Sequence, residues 1–146
     1  MHLNEMPKAS GFLNIKLFDA TGQLKDERNI PNLLVTTGLN WLAARAVGTP
    51  TAMSHMAIGS TAAAPLPANT TLGAELGRAV LTSQTSALNV ATYSSTFAAG
   101  VGTGAVTEAG IFNAGAAGTM LNRAVFAVIN KGALDTMQIN WTVTQN

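Results

Sequence analysis

The clearest alternation of apolar and polar positions lies near the two ends of the chain. In Gly11–Asp19 (GFLNIKLFD), Leu13, Ile15 and Leu17 fall on one face and Asn14 and Lys16 on the other, the period-two mark of a half-buried strand. Near the C-terminus, TMQINWTVTQN puts Met137, Ile139, Trp141 and Val143 on one face and Gln138, Asn140 and Thr142 on the other. Asp19-Ala20-Thr21-Gly22 supplies turn chemistry, with Gly22 free to take positive φ. The return run QLKDERNI is dense in charge and suits an exposed edge strand, where charge discourages unwanted pairing. One segment carries helical spacing. In LNWLAARAV, Leu39, Leu42, Ala43 and Ala46 form an i, i+3, i+4, i+7 stripe. Thr37 is placed to cap this helix, and Gly48 and Pro50 end it. Trp41 lies off the centre of the stripe and reads as a core or flanking residue.

Beyond residue 52 the pattern is one of strands and turns. Met53–Ser60 forms a short strand, followed by the loop TAAAPLPANT. Thr70 or Thr71 can cap a helical turn through Leu72, Glu75 and Leu76. Runs at 78–85, 88–98, 105–113 and 119–129 are β-like and separated by glycine-rich breaks. Those at 105–113 and 119–129 are apolar on both faces, as central or interface strands are. Seven or eight short strands with regular turns predict a mainly β fold, an antiparallel β-sandwich of jelly-roll type with one short helix near 38–47. A chain of 146 residues buries such a core without disulfide staples. The expected organisation is one domain over 11–146, preceded by an extended arm at 1–10. That arm contains Pro7 and no consistent period, and Leu3, Met6 and Lys8 are its candidate contact residues.

Charge sharpens the picture through its placement. Of fifteen charged side chains, eight fall within residues 1–28: Glu5, Lys8, Lys16, Asp19, Lys25, Asp26, Glu27 and Arg28. The rest of the chain holds Arg45, Glu75, Arg78, Glu108, Arg123, Lys131 and Asp135, far below the usual charged fraction of about 25%. A free monomer normally keeps a charged coat to stay soluble. A surface covered by neighbours has no such need, and lone charges there are costly. The net charge of +1 offers no field to attract nucleic acid or an anionic membrane. The first ten residues lack a signal-peptide core and no stretch has the length of a membrane span, so synthesis in a cytoplasm is expected.

The chemical inventory argues against an enzyme. The chain has no cysteine and two histidines, His2 and His55, so a zinc site of three or four converging ligands is not expected. No GxSxG elbow is present, and no carboxylate pair has the setting that glycoside hydrolysis needs. The glycines of GVGTG, at 100–104, are followed by the β-forming run AVTEAGIF and no lysine, so they read as a turn rather than a phosphate loop. No cofactor and no catalytic residue are therefore assigned. The charged residues fit better as structural pins. Glu75 and Arg78 are three apart, within reach across a helical turn. Glu108, on the strand face of Val106 and Phe112, is expected to be partly buried and paired with Arg78 or Arg123, because a buried carboxylate without a partner is expensive.

The order NLLVTTGLNWLA, HMAIGSTAAAP, TTLGAELGR, TEAGIFNA and TMLNRAVFAVINKGALD resembles small virion proteins of tailed bacteriophages, often labelled tail-fibre or head decoration (cement) proteins. The resemblance runs from about Gly11 to the C-terminus and carries no catalytic residues. It implies a structural protein on the virion, with the head surface favoured and attachment through the tail or tail fibre as the alternative. The implied partners are the major capsid protein and further copies of this chain, for which a trimer matches the local three-fold positions of a shell; neither nucleic acid nor membrane is implied.

Overall fold

The structure, a computed structural model, describes residues 9–145. Strands β1 (Ala9–Phe18) and β2 (Leu24–Leu34) form a hairpin, and helix α1 (Thr36–Ala46) follows. Six further strands are β3 (His55–Gly59), β4 (Glu75–Ala87), β5 (Val90–Phe97), β6 (Gly104–Phe112), β7 (Met120–Lys131) and β8 (Thr136–Gln145). Ala9 and Ser10, expected in the arm, instead pair with Gln145 and Thr144 as the start of β1. Residues 1–8, with the candidate contact residues Leu3, Met6 and Lys8, lie outside the described residues.

The mainly β character holds, but the strands close into a barrel in the order β1-β2-β7-β6-β3-β4-β5-β8, every pairing antiparallel. This corrects the expectation of a two-sheet, jelly-roll-like sandwich. The physical reason lies in two strands that turn a corner and serve both sides. β2 pairs with β1 from Leu24 to Asn32 and with β7 only through Leu33 and Leu34. β4 pairs with β3 up to Val80 and with β5 from Leu81 onward. The charged stretch of β2 remains edge-like, as expected. There Arg28 takes the place of a ladder, donating from Nη1 to the Ala127 carbonyl at 3.2 Å.

The two alternating segments at the chain ends meet directly. Leu13 lies opposite Trp141, Ile15 opposite Ile139 and Leu17 opposite Met137, so two apolar faces become one wall of the interior. Phe97, Met56, Ile58 and Ile111 complete that interior. A second, outer cluster joins Val35, Ala57, Leu72, Phe112 and Met120 beneath the 60–74 connection. This covering explains why β6 and β7 read as apolar on both faces: the barrel lumen buries one side and the connection the other.

Four local expectations are corrected. The segment before Glu75 makes no helical turn; β4 begins at Glu75 itself. The helix buries Gly38 and Trp41, and Leu39 remains 47% exposed. Its closest approach is set by a missing side chain, since a Cβ on Gly38 would collide with the Leu121 backbone. Thr37 is no cap either: Val35 holds the N-cap position, and Thr37 Oγ1 donates to the Met120 carbonyl at 3.0 Å. Finally, a register shift between Val106 and Glu108 puts these residues on opposite faces, Val106 inside the barrel and Glu108 outside it. The Asp19–Gly22 turn forms as expected, with Asp19 Oδ1 accepting the Thr21 and Gln23 amides at 2.8 and 3.0 Å and Gly22 at φ +85°.

Because Gly38 abuts main chain that cannot rotate away, Gly38→Ala forces α1 off β7. Overpacking of this kind costs about 1–3 kcal/mol, so the variant should melt several degrees below the parent in a thermal scan.

Candidate functional site

The most elaborate polar site is built around Glu108, which is fully buried. Its Oε1 accepts the amides of Thr61 at 3.2 Å and Ala74 at 2.9 Å. Its Oε2 accepts the Gly73 amide at 3.0 Å and Arg123 Nε at 2.9 Å, with Arg123 Nη2 also at 2.9 Å. One carboxylate thus ties the two ends of the 60–74 connection to each other and to β7. Burial pushes the Glu108 pKa up, but the amides of Ala74 and Gly73, then Arg123 and Thr61, outweigh it and hold the group below its ordinary value.

Arg123 extends the clamp outward. Its Nη1 donates to Asn69 Oδ1 at 3.2 Å, and that same oxygen accepts the Leu66 amide at 2.8 Å. The Thr36 amide reaches the Pro67 carbonyl at 2.8 Å, joining the connection to the start of α1. The loop TAAAPLPANT is therefore fastened at its ends and its middle. Its outward side presents Ala62, Ala63, Ala64, Leu66, Pro67 and Ala68, all exposed and none charged. The result is a neutral, largely apolar surface fastened from beneath.

Arg78 does not join Glu108. It pairs with Glu75, Nη2 to Oε1 at 2.7 Å, along the start of a strand rather than across a helical turn. Its Nη1 donates to the Ala114 and Ala117 carbonyls at 2.8 and 3.0 Å, and its guanidinium stacks 3.9 Å over the Phe112 ring. Arg78 thus fixes the turn between β6 and β7 from two strands away. Of the four ionic residues singled out in the sequence, the structure makes two separate pairs, Glu75–Arg78 and Glu108–Arg123.

A third clamp, at the C-terminal end of β7, has no counterpart among the pairs expected from the sequence. Lys131 is buried and donates to the Ala98 carbonyl at 3.0 Å; burial lowers its pKa, with Asp135 opposing. Asp135 accepts Lys25 Nζ and the Gly132 amide, both at 2.8 Å, and is held below its ordinary range by Lys25 first and Gly132 second. The only available signal was a lysine and an aspartate flanking a short glycine turn. Among the described residues no group of three or more His, Asp or Glu side chains could hold a metal. His55 meets its neighbour Ser54, Nδ1 to Oγ at 2.8 Å. No helix among the described residues is long and apolar enough to cross a membrane.

Glu108→Ala leaves Arg123 charged and buried, which costs about 3–5 kcal/mol and should lower the melting temperature by roughly 10 °C. The depressed pKa of Glu108 gives the pH dependence a definite sign: its contribution is complete above the unfolded carboxylate value of about 4.3 and is lost as the pH falls through the lower folded value. Acid titration of stability should therefore be shallower in Glu108→Gln than in the parent; equal slopes would show that Glu108 is not the acid-sensitive clamp. Comparison of the chain with models of known protein families, with curated proteins and with solved structures gives no match.

Proposed function

We propose that this chain is a structural protein of a bacteriophage virion, a decoration or cement protein that binds and stabilises the assembled head shell. The observation that carries the reading is the neutral 60–74 surface, held in place by the buried Glu108 carboxylate. A preorganised apolar surface loses little conformational entropy on docking. Ligation to the assembled shell rather than to free subunits shifts the equilibrium toward the intact particle. Repetition on a symmetric lattice multiplies modest contacts into avidity.

The disposition of charge supports the same reading. Outside the first 28 residues every charged side chain is engaged in an internal contact: Arg45 with the Pro50 carbonyl, Glu75 with Arg78, Glu108 with Arg123, Lys131 with Ala98 and Asp135 with Lys25. The surface away from the β1–β2 hairpin consequently offers little free charge to desolvate when covered. The sequence resemblance to small virion proteins agrees with this setting.

Imaging of labelled protein on intact particles tests the proposal. Label over the head is expected, and label confined to the tail would replace decoration with tail attachment. Leu66, 58% exposed, supplies a surface test. Leu66→Asp should weaken binding to assembled shells at least about tenfold, equivalent to 1.4 kcal/mol, with an unchanged melting curve.

A further inference from the structure

The barrel wall has a notch. β3 accompanies β4 only as far as Val80, opposite His55, and the last link is the Leu81 amide to the Ser54 carbonyl at 2.8 Å. The preceding chain is drawn away from β4, because Trp41 Nε1 donates to the Thr51 carbonyl at 2.8 Å and the Ser54 amide to the Phe112 carbonyl at 2.9 Å. β4 nevertheless runs on to Ala87, paired with β5 on one side. Among the described residues nothing pairs with the other edge of Ser83–Ala87. Edge strands are normally blunted by charge, proline or a cover. This one reads SQTSA, exposed, with neither a charge nor a proline of its own.

The notch also has a floor. Gln84 lies opposite Tyr93 and Ser86 opposite Ala91, so these residues share the inward face. Together with Trp41, Met53 and Arg45 they line a cavity of about 250 Å³. Arg45 is the charged group among them. An unpaired edge beside a cavity of mixed polar and apolar lining is an arrangement that recognises an extended peptide, with main-chain bonds for affinity and a side-chain pocket for specificity. Leu88, at the hairpin tip beside this edge, is fully exposed at 103% and held at φ +54°, a conformation leucine seldom adopts.

We infer that this notch receives residues 1–8 of a second copy of the chain, inserted as an added strand on β4. The inference rests on the assembly reading in taking that segment as a contact arm. The sequence HLNEMPK offers Leu3 or Met6 for the cavity and Glu5 as a carboxylate for Arg45. The path favours a neighbour as donor. Ala9 starts β1, and β8, β5 and β4 intervene before the notch. At about 4.8 Å per strand, an arm crossing over its own barrel spends most of its reach of roughly 26 Å before it can pair. A neighbour's arm has its whole length free. Such an exchange is heterologous, and closes into a ring when the rotation permits.

The test is hydrogen exchange on the full chain across a concentration series, with mass measured in parallel by light scattering. Outward-facing amides of Ser83–Ala87 should be protected about tenfold or more where the chain is oligomeric, and should lose that protection on dilution to monomer. Glu5→Arg and Arg45→Glu should each weaken association, and the double variant should restore it; circular dichroism confirms that each is folded. A monomer at all concentrations, or an oligomer whose β4 edge exchanges freely, overturns the inference. Protection independent of concentration would mean that the arm folds back on its own barrel, and protection seen only on virus particles would mean a strand from another protein; either result also overturns it. Absence of the protein from heads would remove the decoration reading while leaving this result to stand.

Discussion

The architecture depends on a carboxylate placed where carboxylates are least at ease. Glu108 is removed from water, and burial alone would drive it toward the neutral form. Three main-chain amides and one guanidinium reverse that preference. The same bonds satisfy the Thr61, Gly73 and Ala74 amides at the two ends of the connection. Remove the carboxylate and the loop loses both anchors at once, while Arg123 is left charged against an apolar wall. An aliphatic side chain of similar volume would suit β6 itself, yet it would leave Thr61, Gly73 and Ala74 without acceptors. The ionised group is therefore the condition under which a long, irregular connection can be held as firmly as a strand.

The other charges extend the same principle. Arg78 collects two carbonyls of the β6–β7 turn, Lys131 closes on Ala98, and Asp135 gathers Lys25 and the Gly132 amide. Each clamp acts where the ladder stops and main-chain groups would otherwise lack partners. Sparse charge in this chain is thus charge with an assigned place. It leaves a surface of alanine, serine, threonine and asparagine that can be covered with little electrostatic penalty.

Closure carries its own constraint. An eight-stranded barrel abolishes edges only where neighbours run equally far. Here β2 and β4 turn corners, so each has one stretch without a full partner. The two stretches are treated oppositely. On β2 the charges and Arg28 seal the gap from within. On β4 the edge is left neutral and open beside a cavity lined by aromatic residues. One edge is sealed by charge and the other is left without a neighbour.

What the sequence determined by itself was whatever depends on neighbouring residues. The alternations at Leu13–Leu17 and Met137–Val143, the Asp19–Gly22 turn, and the place of one helix all follow from local periodicity and turn chemistry. It also suggested a cationic partner for Glu108, since burial of a lone carboxylate is costly, although the face on which it expected that burial was the wrong one. Only the tertiary structure decided which partner. A register shift between Val106 and Glu108 turned Glu108 outward, away from Val106, and the register of β6 against β7 brought Arg123 rather than Arg78 alongside. The helix face was likewise decided from outside, by the approach of Gly38 to the Leu121 main chain rather than by its leucines. Closure into a barrel was the least legible property of all. It depends on β2 and β4 each pairing on two sides, and pairing between residues far apart in the chain leaves no local period to read.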